Sequence, residues 1–281
     1  MYKNLYITLT LALIVTATSF SQLKTPAAST SAKIIQTVGL TNIEIHYSRP
    51  SAKGRKIFGT DGVVLFDKLW RTGANAATKI TFDDNVTVAG KELKAGAYAI
   101  LTKPGASAWN IYFYPYNSGN WTSYVEKEPI ATVTGNSKKV SDLVETFTIS
   151  INNITMETAD LIFAWENTKV TLPIKVEVHK KTMASIEKTL AGPTTFDYFR
   201  AALYLHESGK DLDTALEYIQ KATKGNNPRF FQVHREALIL ADLGRKTEAI
   251  TVAKRSLALA KKAGNDDFVR LNEESIKEWS K

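Results

Sequence analysis

Leu69 to Phe82 reads LWRTGANAATKITF, and its two halves have different characters. The first half puts a large aromatic and a guanidinium ahead of Gly73 and Asn75, two residues that tolerate positive φ, so a tight turn or bulge is expected there. The second half alternates: Ile80 and Phe82 on one side, Lys79, Thr81 and Asp83 on the other, which is the period of a half-buried strand.

The same period recurs on both sides of this stretch. Ile43, Ile45 and Tyr47 alternate with Glu44, His46 and Ser48. Val86 and Val88 precede an Ala89-Gly90-Lys91 turn, and Tyr98 to Leu101 follow the turn at Lys94-Ala95-Gly96. Trp109, Ile111 and Phe113 oppose Asn110, Tyr112 and Tyr114. Phe147, Ile149 and Ile151, then Leu161, Phe163 and Trp165, repeat the pattern, and Val170 to Val178 closes it with Pro173 marking an edge or bulge. Short strands between turn residues, with no long helix among them, predict an antiparallel β-sandwich or barrel-like domain rather than a parallel α/β sheet.

After Thr182 the period becomes helical. Ala215 and Ala249 lie 34 residues apart, as do Ala222 and Ser256, and Leu203 stands at the same offset from Ala237. That is the period of the tetratricopeptide helix-turn-helix unit, in which small residues let two helices approach closely. Leu203 is large for such a slot. Asp266 to Trp279 reads as a final capping helix. Two repeats are fewer than such arrays normally need, so they should lean on the β half. The expected class is α+β: a signal peptide over residues 1–21, a β domain over 32–181 and a helical array over 183–281.

The first 21 residues carry the marks of export: Lys3, an apolar run from Leu5 to Ala17, and small Ser19 and Ser21 ahead of a cut before Gln22. That run is short for a membrane span, and no later segment is as apolar, so the mature protein should be periplasmic or extracellular with no transmembrane span. With 0 Cys there are no disulfides, thiolate metal sites, thiol nucleophile or lipidated cysteine. The net charge of +8 is spread: 19 basic against 14 acidic residues from Gln22 to Thr182, and 16 against 14 from Met183 onward. That is too diffuse for the dense basic stripe of a nucleic-acid binder, and no nucleic-acid partner is expected.

The β half closely resembles a family of secreted Bacteroidetes proteins known as the domain of unknown function twenty-nine eleven. The resemblance rests on Ser48-Arg49-Pro50-Ser51, Lys53-Gly54-Arg55, Ile57-Phe58-Gly59, Leu69-Trp70-Arg71-Thr72-Gly73-Ala74-Asn75, Lys94-Ala95-Gly96-Ala97-Tyr98, Pro104-Gly105, Trp109, Trp121, Tyr124 and Trp165-Glu166. It spans about Ala32 to Lys180. Thr122 stands where the family commonly has Gly after Trp, which bears on a local turn. The resemblance implies export and a compact β domain, and it carries no reaction.

Templates for known catalysis are absent: no G-x-S-x-G, H-E-x-x-H, P-loop or G-x-G-x-x-G occurs. His206 and His234 fall in the helical repeats, and His179 should close a strand beside Lys180 and Lys181. His46 shares a strand face with Ser48 and Glu44, too few ligands for a metal; no metal or cofactor is expected. Arg49, Lys53 and Arg55 form a basic loop with no acid between Ile45 and Thr60. It suits a carboxylate, a phosphate or a sulfated sugar, or else its arginines brace neighbouring carbonyls. Trp121 and Tyr124, with Tyr112, Tyr114 and Tyr116, make an aromatic strip that either stacks on a sugar or peptide or forms a second buried face.

Two readings stand for Arg71. In one it is a buried clamp on Glu166, and Arg71→Ala would cost about 3–5 kcal/mol of stability. In the other, Arg71, Thr72 and Asn75 join His46, Ser48 and Arg49 around a polar cleft. The leading functional expectation is an exported binding module: a β domain for an anionic or sugar ligand, and helical repeats for a protein or peptide partner. The rival is an unfamiliar hydrolase built on His46, Ser48, Arg71 and Asn75. It lacks an evident pair of catalytic carboxylates, although Asp61, Asp67 and Glu166 are candidates.

Overall fold

A computed structural model describes residues 25–189 and 192–281, so the signal reading of residues 1–21 lies outside the described residues. Eleven strands come first. Nine form one antiparallel sheet in the order β1 (Thr30–Val38), β2 (Thr41–Arg49), β5 (Thr78–Phe82), β8 (Gly96–Pro104), β9 (Ala108–Pro115), β10 (Ala131–Asn152), β11 (Thr158–Val176), β6 (Val86–Val88) and β7 (Lys91–Leu93). The other two, β3 (Phe58–Gly59) and β4 (Val64–Leu65), are a small parallel pair inside the loop after β2.

The alternation read from the sequence sets the inner face. Ile43, Ile45, Ile80, Phe82, Ile111, Phe113, Phe147, Ile149, Leu161 and Phe163 all join one core. A single sheet can enclose that core because it bends at β10. Residues 131–136 of this strand pair with β9, and residues 137–152 pair with β11 across two breaks in register, between Lys139 and Thr148. Each break adds twist and turns the strand. The bend brings β10 back against the end of β2. Tyr47 accepts a hydrogen bond from the Ile149 amide at 2.9 Å, Arg49 donates to the Phe147 carbonyl at 3.1 Å, and Ser51 bridges Thr146. Pro173 lies beyond the last β10 pair, at Val170, where a missing N–H costs no ladder bond. The β1–β2 turn needs Gly39: its φ is +57°, and a Cβ there would stand 2.4 Å from the Met156 carbonyl oxygen.

Six helices follow: α1 (His179–Thr189), α2 (Thr195–Glu207), α3 (Leu212–Thr223), α4 (Phe230–Asp242), α5 (Lys246–Ala263) and α6 (Asp266–Trp279). Their own core contains Ala202, Leu205, Ala215, Leu216, Ile219, Ala222, Ile239, Leu240 and Ala249. Ala215, Ala222, Ala249 and Ser256 are buried as the 34-residue offset required.

The first helix of each pair follows a different offset. Ala202, not Leu203, is the fully buried counterpart of Ala237. The α2–α3 turn holds Ser208 to Asp211, the α4–α5 turn only Leu243 to Arg245, and the extra residue rotates the register by one. His179 also departs from expectation. It opens α1 instead of ending a strand, and its ring lies against Tyr204, with Nδ1 3.2 Å from the hydroxyl. Tyr204 packs against both cores, and Lys210 pairs with Glu157 and Lys181 with Asp84, so the helices contact the sheet. No described helix is long and apolar enough to cross a membrane.

One buried acid gives this half a pH signature. Burial pushes the Glu236 carboxyl up from its ordinary value, although the Thr223 hydroxyl donates to it at 2.7 Å. The folded state therefore holds this proton more tightly than the unfolded chain. The contribution is complete below the unfolded carboxylate range and is lost as pH rises through the folded value. Glu236→Gln should stabilise the protein at pH 8 and lose that advantage at about pH 4. Urea melts at the two pH values check it; an equal shift at both would sink the assignment.

Candidate functional site

The Trp70–Asn75 bend is held from several sides. Trp70 and Thr102 exchange both backbone hydrogen bonds, at 2.7 and 2.8 Å, and the Trp70 indole donates to the Gly73 carbonyl at 3.0 Å. Thr72 has φ +57°, a left-handed conformation that a β-branched residue rarely takes. It is fully buried, its hydroxyl bonds Thr102, and Thr78 donates to its carbonyl. Gly73 has φ +147°, and a Cβ on it would sit 2.8 Å from the Ser48 carbonyl oxygen. Strain of this kind persists where the surroundings over-determine the backbone.

The bend sends Trp70 and Arg71 in different directions. Trp70 enters an aromatic cluster, 5.9 Å from Trp165 in a stacked pair and 5.1 Å from Phe147, with Trp109 and Phe58 each at 6.1 Å. Arg71 lies over Trp121, its guanidinium carbon 5.6 Å from the ring centroid. Trp121 belongs to a 3-10 turn, Trp121–Tyr124, capped by the Asn120 side chain. Thr122 fits this turn without a glycine's freedom: its N–H and hydroxyl both donate to Asn120 Oδ1, at 3.2 and 2.8 Å.

The clamp reading of Arg71 is therefore overturned. Glu166 has φ +54° between the two breaks in the β10–β11 register and lines another cleft. Arg71 forms no ion pair among the described residues. Its Nε–H is buried and has no acceptor among the described residues, which is uncommon for a buried donor. A cleft of about 600 Å³ opens beside it, lined by Lys53, Arg55, Arg71, Trp70, Trp121 and Trp165 among others, with no Asp or Glu among the described residues of its wall. Such a wall combines cationic and aromatic side chains, chemistry that matches an anionic group attached to a flat body.

The remaining candidates are dispersed. His46 is exposed on β2, in register between Lys33 and Lys79. The Ser48 hydroxyl accepts from Asn75, which also donates to the Ser29 carbonyl. Arg49 is tied to Phe147 and Thr148 of β10, and Arg55 to the Ala52 and Ser51 carbonyls, as the bracing alternative expected. Thr72 is buried. Tyr124 is fully buried, its hydroxyl accepting from the Asn117 and Ser118 amides and donating to the Ser118 carbonyl. Of the ten candidates, only Lys53, Arg55, Arg71 and Trp121 line the cleft. The polar set proposed for a hydrolase is not gathered around it.

The outer aromatic face is a second small core of Ala99, Leu101, Tyr114 and Tyr124. The Trp121–Tyr124 turn packs onto it. Trp70 and Trp165 were missed as cleft walls, because sequence alternation marks them only as core. Among the described residues, no three His, Cys, Asp or Glu side chains gather where they could hold a metal.

Residues 29–174 match the family model described as a protein of unknown function, DUF2911. The chain belongs to that family. The DUF2911 match coincides with the nine-stranded sheet and the cleft, and the helices follow it in the chain. No curated protein and no solved structure matches the chain.

Proposed function

We propose that this DUF2911 member is an exported binding protein whose β domain takes a carboxylate-bearing ring in the Arg71 cleft. The observation that carries this reading is the Arg71 guanidinium, laid on Trp121 with its buried Nε–H unpaired and no carboxylate in the surrounding wall among the described residues. A planar carboxylate accepts side-on from the Nε and one Nη of an arginine in a way that a lysine cannot imitate. Trp121 and Trp70 offer apolar faces for the ring that carries it. The helical hairpins fit the role of a tetratricopeptide-type surface for a protein or peptide partner. Export is supported by Lys3, the apolar run and the Ser19–Ser21 site. Sequencing the N-terminus of protein recovered from the native envelope should give Gln22 first, and an intact Met1 would refute export by cleavage.

The binding reading is tested by titrating uronates and aromatic carboxylates while following the Trp121 indole N–H by NMR. Arg71→Ala should weaken binding roughly 10- to 100-fold, the loss expected when a charge-assisted hydrogen-bonded pair goes. Arg71→Lys should recover little of it. Stability should fall by about 1 kcal/mol or less, since only a cation–π contact is removed. Carboxylate probes that bind wild type and Arg71→Ala equally, or none that moves Trp121, would remove this reading.

A further inference from the structure

The loop from Lys53 to Phe66 separates the Arg71 cleft from a second one. Val63 and Val64 face the first, Phe58 and Phe66 the second. The second cleft has a volume of about 620 Å³ and a different chemistry. Trp109, Phe58 and Phe66 are its aromatic lining, and its polar lining includes Lys139, Glu166, Ser137 and Thr168. Lys56 also reaches it, but its ammonium is engaged by Asp61, whose carboxyl that contact holds below the usual range.

Three observations set this cleft apart from an ordinary surface dent. Trp109 is 1% exposed, yet its indole N–H has no acceptor among the described residues. Glu166 holds a left-handed backbone, with φ +54°, opposite Val144 between the two breaks in the β10–β11 register. Neither Glu166 nor Lys139 forms an ion pair among the described residues, although both line the same cleft. Asn167 beside them donates its amide N–H to the Val140 carbonyl at 3.1 Å, which leaves its carbonyl oxygen as an acceptor.

We infer that the Trp109 cleft is a second binding site, selective for a neutral, hydroxyl-bearing ring such as a pyranose. A pyranose has one apolar C–H face and a rim of hydroxyls that both donate and accept. The half-buried Phe66 ring meets the face, and Lys139 as donor, Glu166 as acceptor, and Ser137 and Thr168 in either role meet the rim. An oxygen reaching the floor of the cleft completes the Trp109 N–H, whose missing bond is otherwise costly. Here the charges of Glu166 and Lys139 offset each other, which favours a neutral ligand, whereas the charged residues lining the Arg71 cleft are all cationic. The two clefts therefore sort ligand groups by charge, and this site stands on residues other than those of the Arg71 reading.

The test is an array of neutral oligosaccharides of hexoses, pentoses and N-acetylhexosamines, titrated into labelled full-length protein while all five indole N–H signals are followed. At least one should move the Trp109 signal saturably. Glu166→Gln and Lys139→Ala should each weaken that binding by about tenfold, the scale of one hydrogen bond to a charged group. Lys139 is exposed, so its loss leaves the fold intact, as a melting curve would verify. The inference is overturned if no neutral saccharide moves Trp109, if free amino acids move it and saccharides do not, or if neither substitution alters affinity. Uronate binding read at Trp121 reports separately on the Arg71 cleft.

Discussion

Trp165→Ala should destabilise the β domain by about 3–5 kcal/mol, the range for deleting a large aromatic side chain from a core. Trp165 is 1% exposed and has ring contacts with Trp70, Phe147 and Phe58 at 5.9, 5.8 and 6.1 Å. Its indole N–H donates to the Glu145 carbonyl at 3.2 Å, on the bent part of β10. Substitution removes the ring, leaves a cavity between three others and frees that carbonyl. The site cannot collapse readily, because Trp70 is fixed by its paired bonds to Thr102. Urea melts followed by circular dichroism check it. A loss of less than about 1 kcal/mol would mean that the cluster does not hold the sheet closed. Trp165→Phe should recover a large part of the loss, since a ring still fills the gap.

Gly73→Ala should cost about 2–4 kcal/mol and should also abolish carboxylate binding. The added Cβ meets the Ser48 carbonyl oxygen at 2.8 Å, and that oxygen is already bonded to the Ala74 amide. The neighbour is backbone of β2 and cannot step aside as a flexible side chain would. The φ of +147° is in addition a region that L-residues avoid. Relief requires the whole bend to shift, and Arg71 would move off Trp121 with it. Asn75→Gly is the informative contrast. Asn75 has φ +58° and is exposed, a conformation glycine adopts freely, so stability should change little. Equal losses in the two variants would show that the collision with Ser48 is not the cause.

How far each feature was legible depends on how local its cause is. The alternation of Ile43, Ile45 and Tyr47, or of Trp109, Ile111 and Phe113, marked the inner face directly, and those residues are buried. The break from strand to helix near Thr182 was legible for the same reason, because period is a property of neighbouring residues. The register of α2 was not. One additional residue in the Ser208–Asp211 turn moved the small-residue slot from Leu203 to Ala202, and repeat arithmetic carried over from α3 and α5 could not see it. His179 was misread because an apolar alternation running to Val178 conceals where the strand stops.

The sequence by itself determined the α+β class, the division between sheet and helices, and the bend at Gly73 and Asn75, since all of these follow from patterns over a few residues. The direction of Arg71 was decided only in three dimensions. Its stacking partner, Trp121, comes fifty residues later in the chain, and the carboxylate expected to clamp it, Glu166, is turned toward another cleft by a break between two long strands. Alternation states which face of its own strand a side chain takes. Which element closes over that face depends on how the sheet bends, and that bend is set by non-local pairing of β10 with β9, β11 and the end of β2.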